Sequence, residues 1–251
     1  GQASRLSGPA TGWNVSITMV RAGRRPKAGR MSGRESILGA IRSGLGRGEL
    51  GASEKAVLEE RISNRPRGPR PSRIELDAEA LADLFVQYAE GVDISVDRIA
   101  SIEDVPDRVA EYLARENLPA NIRMAPDPSL ADIPWYKRPT LTVSEGKTDG
   151  THEVGLTGAF AGVAETGTLI MRSGPEHPTT LNFLPDTHVV VVRKSRIVGS
   201  YEDVWDQIRE GDMPRTVNFI TGPSRTGDIE QTIFMGAHGP RRMHILMVED
   251  E

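Results

Sequence analysis

Two apolar runs limit what this chain can become. Residues 189–192 are four consecutive valines, and residues 244–248 read His-Ile-Leu-Met-Val. Neither alternates apolar with polar, so neither suits a strand with one wet face; both suit strands of a parallel sheet covered on both sides. Parallel strands need crossover connections, so the expectation is an α/β domain whose helices lie over the sheet. Ligands of such sheets sit off the carboxyl ends of the strands, which directs attention to the turns.

Further elements follow from local signals. Ser32 and Glu35 have capping-box spacing, and Ile37, Leu38, Ile41 and Leu45 fall on one helical face, giving a short amphipathic helix that ends near Gly46. A helix this short is marginal alone and must dock on its own domain, a second copy of the chain or a partner subunit. A weaker helix is expected over 54–62, followed by an extended Arg/Pro arm over 64–71, either a solvated linker or a grip for a partner's acids. Leu81, Leu84, Phe85 and Tyr88 mark a helix over 77–90, where the compact domain starts. Then come a strand over 94–99, a helix over 104–116 and a strand over 121–124. Residues 126–139 form an irregular loop whose Trp135 and Tyr136 are expected to lie over the core. Strands are expected at 140–143, 154–157, 169–171 and 189–192, and a helix over 200–210. In the last third, residues 217–220 read as a strand, 228–235 as a crossover helix opened by Asp228 and stopped at Gly236, and 244–248 as the closing strand.

Composition excludes several classes. The 251 residues include no cysteine, which removes disulfides, a thiol nucleophile and any iron–sulfur cluster held by these residues' own thiolates. The lack of cysteine makes a cytoplasmic setting the expectation, and no apolar run approaches the roughly 20 residues that span a bilayer. Residues 1–30 carry six basic residues and no acid, leaving 25 basic against 35 acidic residues in the remainder. An acidic body without a Lys/Arg stripe argues against nucleic acid as a partner. The leader reads as a transit peptide or, preferred here, as an over-extended start before Met31; it is excluded from the fold. The expected layout is this leader over 1–30, the helix and arm over 31–75, and the α/β domain over 76–251.

Polar residues gather at four turns. Glu165, Thr166, Gly167 and Thr168 precede a strand; Glu165 either bonds loop amides or acts as a catalytic carboxylate. His188 opens its strand and so belongs to the opposite sheet edge. Gly222, Ser224, Arg225 and Thr226 resemble an anion cradle before the expected helix, against simple capping of that helix. His238, just beyond it, is either a cap for the last carbonyls or an acid/base group. No His-x-x-x-His or carboxylate-rich spacing suggests a metal site.

The blocks Ala164-Glu165-Thr166-Gly167-Thr168, Leu184-Pro185 with His188, Thr221 to Thr226 with Asp228-Ile229-Glu230, and Gly236 to Arg241 resemble the signature of the LUD-domain family, in its branch concerned with lactate utilisation. The resemblance covers roughly Met31 onwards. It implies a Rossmann-like three-layer α/β sandwich of the ribose-phosphate isomerase and CoA-transferase type. It also implies a role as accessory subunit, with two iron–sulfur partner proteins, in oxidising L-lactate to pyruvate. Relatives in the wider family carry cluster-binding cysteines that are missing here, so the resemblance places the clusters on the partners and no cofactor on this chain. Two other readings stand beside it: an enzyme using Glu165 on an acyl or sugar-phosphate substrate held by Arg225, and a small-molecule sensor without turnover.

Overall fold

The computed structural model describes residues 32–46, 48–229 and 232–249; the expected leader lies outside them. The chain divides after Pro66. Before that point stand two helices, α1 (Gly33–Gly44) and α2 (Ala52–Asn64). The expected capping box opens α1: the Ser32 N–H donates to the Glu35 carboxylate at 2.8 Å, and the Glu35 N–H donates to the Ser32 hydroxyl at 3.3 Å. Neither helix buries a residue.

Beyond Pro66, six strands form a wholly parallel sheet: β1 (Ile94–Ile99), β2 (Asn121–Met124), β3 (Thr142–Glu145), β4 (Val154–Gly158), β7 (Thr187–Arg193) and β12 (Arg242–Val248), in the order β1-β12-β7-β4-β2-β3. A second sheet is built from β5 (Ala161–Val163), β6 (Thr168–Arg172), β8 (Ile197–Val198) and β9 (Val217–Ile220), in the order β8-β5-β6-β9.

The two apolar runs behave as their composition dictates. Val189 and Val191 of β7, with Leu246 and Val248 of β12, share one core with Val109 and Leu113 of α4 (Val105–Arg115). Val190, Val192, Ile245 and Met247 point the other way, into a core with Phe85 and Ala89 of α3 (Ala78–Glu90) and Leu169 and Met171 of β6. Each such side chain contributes about 1.5–3 kcal/mol on burial, which makes this double contact the main source of stability. A third core joins Val204 and Ile208 of α6 (Tyr201–Arg209) to Ala161, Val163 and Ile170. The fold is a layered α/β sandwich with a parallel central sheet.

Four expectations change. Residues 225–235 form a hairpin, β10 (Arg225–Ile229) with β11 (Thr232–Met235), where a crossover helix was expected; its pairing shifts register between Thr226 and Ile229. β9 pairs antiparallel with β6 in the second sheet and is not a neighbour of β12. The Arg/Pro arm grips this chain's own acids, because Arg67 forms ion pairs with Asp203 and Asp206 of α6. Of the two loop aromatics, Trp135 packs against the core and Tyr136 is exposed.

Two histidines are sealed in this architecture. His188 is fully buried with Nε2 2.8 Å from the Thr157 hydroxyl, and burial pushes its pKa down to about 3. His244 stacks on Tyr112 with ring centroids 4.0 Å apart and has Nδ1 2.8 Å from the Ser95 hydroxyl. Burial pushes its pKa down to about 4, outweighing the attraction of Asp97. Both are neutral in the folded chain, whereas the unfolded chain binds protons below about pH 6.5. The unfolded state therefore holds more protons as pH falls, so stability drops on acidification. Urea unfolding should show a loss of about 2 kcal/mol per histidine between pH 7 and pH 5. The variant His244→Gln should remove its share of that slope, and a slope unchanged by the variant would show that folding does not lower the His244 pKa.

Candidate functional site

The strands β2, β4 and β7 end side by side, and the loops that leave them diverge around a cleft of about 300 Å³. One wall is acidic. Asp127 follows β2 and opens a short 3-10 turn, where its Oδ1 accepts the Ser129 N–H at 2.9 Å and the Ser129 hydroxyl at 2.7 Å. Its Oδ2 lies 3.2 Å from His177 Nδ1. Gly158, at the end of β4, makes room for this carboxylate, since a Cβ there would sit 2.5 Å from Asp127 Oδ2. Asp127 is 8% exposed. Burial opposes its ionisation, but the hydrogen bonds from His177 and Ser129 outweigh burial and hold its pKa below the ordinary value. An ionised Oδ2 accepts the Nδ1 proton of His177. His177 Nε2 has no hydrogen-bond partner among the described residues. The imidazole is positioned by a tight turn in which Gly174 and His177 exchange backbone hydrogen bonds.

Basic residues also border the cleft. Arg172, the last residue of β6, lies over the Phe160 ring at 4.1 Å, and Arg196 approaches the same ring at 6.0 Å. Neither guanidinium forms an ion pair among the described residues, although Glu176 and Arg193 also border the cleft. Stacking on a ring leaves guanidinium edges available for a carboxylate or phosphate. Asn182, in α5 (Thr180–Phe183), borders the cleft at 4% exposure, and its carboxamide makes no hydrogen bond among the described residues. Among the described residues, no group of three or more His, Asp or Glu is placed to hold a metal ion.

The residues singled out from the sequence lie elsewhere. His188 comes nearest, supporting from behind the Thr157 that lines the cleft. Glu165 accepts from Arg73 at 3.1 Å. Thr166 and Thr168 bond each other at 2.7 Å and the Tyr201 hydroxyl at 2.7 and 3.0 Å, and Thr168 also meets Thr221 at 2.6 Å. Gly167 has φ +64°, and a Cβ there would come within 2.4 Å of the Ala89 backbone nitrogen at the end of α3. Gly222, with φ +93°, is pressed against the Val92 carbonyl, and Arg225 forms an ion pair with Asp93. Ser224 accepts the His238 N–H at 3.1 Å. Thr226 pairs with Phe234 in the hairpin. Since no helix follows Gly222, the cradle has no helix N-terminus, and His238 stands in the turn after β11 without a helix end to cap. The motif residues thus fasten the second sheet and the hairpin to the α3–β1 turn. The cleft residues carried weaker signals: Asp-Pro-Ser directly after β2, and a Gly/Pro loop directly after β6.

A parallel α/β sandwich with a polar cleft at its strand ends defines the class. Residues 82–248 match the LUD domain model, and the chain belongs to that family. Over 97 residues it is 36% identical to lactate utilization protein C of Anoxybacillus flavithermus, covering 39% of this chain and 44% of that protein. It is 34% identical over 102 residues to lactate utilization protein C of Bacillus subtilis, covering 39% and 42% respectively. The matched segment thus spans less than half of these relatives. The crystal structure of a DUF162 family protein from Deinococcus radiodurans shares the fold, with TM-score 0.50 and 24% identity over 69% of this chain and 99% of that one. No helix among the described residues is long and apolar enough to cross a membrane.

Fastening and cleft residues should respond differently to substitution. Gly167→Ala combines a left-handed backbone with a backbone clash and should cost about 2–5 kcal/mol in urea unfolding. Arg172→Ala, with its side chain at the cleft, should change stability by less than about 1 kcal/mol. A mild Gly167→Ala would refute the fastening role.

Proposed function

We propose that this chain is a component of a lactate-utilisation system that binds a small organic carboxylate in the strand-end cleft, while iron–sulfur partner proteins carry the electrons. The observation that carries the reading is the pair of guanidiniums, Arg172 and Arg196, that border the cleft and form no ion pair among the described residues. Guanidiniums at a cleft that are not held in ion pairs favour an anion, and the planar fork of arginine favours a carboxylate held by two hydrogen bonds. The relatives named lactate utilization protein C support lactate metabolism as the setting. The absence of cysteine from these 251 residues supports placing thiolate-bound clusters on other chains.

Titration calorimetry with L-lactate and pyruvate should give saturable binding to the wild type. Arg172→Ala and Arg196→Ala should each weaken it about ten- to hundredfold, the worth of a charged hydrogen bond. Undiminished binding in both variants would place the ligand elsewhere. Anaerobic affinity purification from lactate-grown cells should recover cysteine-rich iron–sulfur proteins in stable ratio, and their absence would remove the partner assignment.

A further inference from the structure

We infer that α1 is a self-association helix: two copies of this chain pair through it, antiparallel, about a twofold axis that passes between Leu38 and Gly39. The inference is independent of the cleft. Ile37, Leu38, Ile41 and Leu45 are 37–63% exposed, and no residue of α1 or α2 is buried. A three-turn helix with an uncovered apolar stripe is marginal in water, so another surface must cover it. The residues of α1 itself specify which. With about 3.6 residues per turn, Ile37, Ile41 and Leu45 form the stripe and Leu38 adjoins it. Glu35 and Arg42 share one flank, and Gly33, Ala40 and Gly44 share the other.

In an antiparallel pair with twofold symmetry, each flank meets the same flank of the other copy, running the opposite way. An axis between Leu38 and Gly39 therefore sets Glu35 of each copy against Arg42 of the other. On the far flank Gly33 meets Gly44, and within the stripe Ile37 falls beside Ile41. A parallel pair would set the charged flank against the glycines and leave both charges unpaired. Glu35 has an oxygen to spare, because only its Oε2 is taken by the Ser32 N–H. Arg42 forms no ion pair among the described residues. Arg34, at the start of the stripe, reaches the C-terminal carbonyls of the other α1, where a cation is favoured. A Cβ added at Gly33, Gly39 or Gly44 would meet nothing within 4 Å, so that side is open to a second helix. One axis position thus serves charges, stripe and small flank together, a match that a partner of different sequence has no reason to share. The four apolar side chains of α1 bury on the order of 400 Å² per copy, about half of one partner's share of a standard interface. Leu50, Val57, Leu58 and Ile62, 45–73% exposed in the segment that follows, supply the remainder.

The test uses the full chain. Sedimentation velocity from about 1 to 200 μM should show reversible association to a species of twice the 27.4 kDa chain mass. Ile41→Asp sets two like charges in the apolar contact and should weaken association more than about tenfold. Its melting temperature should match the wild type, since α1 belongs to the unit that ends at Pro66. Arg42→Glu should weaken association several-fold in the wild type but strengthen it in a Glu35→Arg background, where it restores opposite charges. Both chains in that second comparison lack the same capping carboxylate, so the loss of the cap cancels. The chain has no cysteine, so Leu38→Cys, beside the axis, should give a covalent dimer under mild oxidation, and Ser43→Cys, on the opposite face of α1, should not. A dimer indifferent to Ile41→Asp, or an Arg42→Glu effect of the same sign in both backgrounds, would overturn the inference. A chain monomeric at the highest concentration would also overturn it, and would assign the face to the chain's own domain or to another protein.

Discussion

Everything in the domain depends on β7 and β12 being buried on both faces. A strand in that position has no wet side, so the helices α3 and α4 and the second sheet are required to cover it. The same burial decides what polar side chains can do there. His188 and His244 are tolerated only as neutral rings with hydroxyl partners. Charged chemistry is displaced to the strand ends, where Asp127, His177 and Arg172 border the cleft.

A second dependence runs through the turn between α3 and β1. Gly167 and Gly222 approach its backbone more closely than any side chain would permit, and Arg225 ties the start of the hairpin to Asp93. A dense run of Gly, Thr and charged residues is often taken as a ligand site. Here the threonine hydroxyls satisfy one another and Tyr201, and the glycines allow two layers to touch. In this chain these residues attach the second sheet to the first.

Much of the fold was legible because its main elements have strong local causes. The valines of β7 permit little else, and α3, α4 and α6 show apolar positions at helical spacing with polar caps at Asp77 and Ser200. The hairpin was not legible: Ile229 and Ile233 are four apart, as on a helix, and only the pairing partner decides that the segment is extended. The membership of β9 was hidden for the same reason, since its partner β6 lies some fifty residues earlier. The cleft was the least accessible part. Asp127, Arg172, His177 and Asn182 sit in loops or at element ends and are joined only by strand order, which no local pattern encodes. The polar turns that stood out did so by density, and the contacts they make are with the chain itself.

The strand order also sets a timetable. β12 is the last strand of the sheet along the chain, yet it lies between β1 and β7, with three strands beyond β7. Until residue 248 has been synthesised, β1 and β7 cannot be bridged, and both leave hydrogen-bonding edges open. Without β12 the order leaves β1 alone on one side and the four strands β7-β4-β2-β3 on the other. An open edge of this kind is a template for pairing with another chain, so the closing of the sheet waits on the last strand to be made.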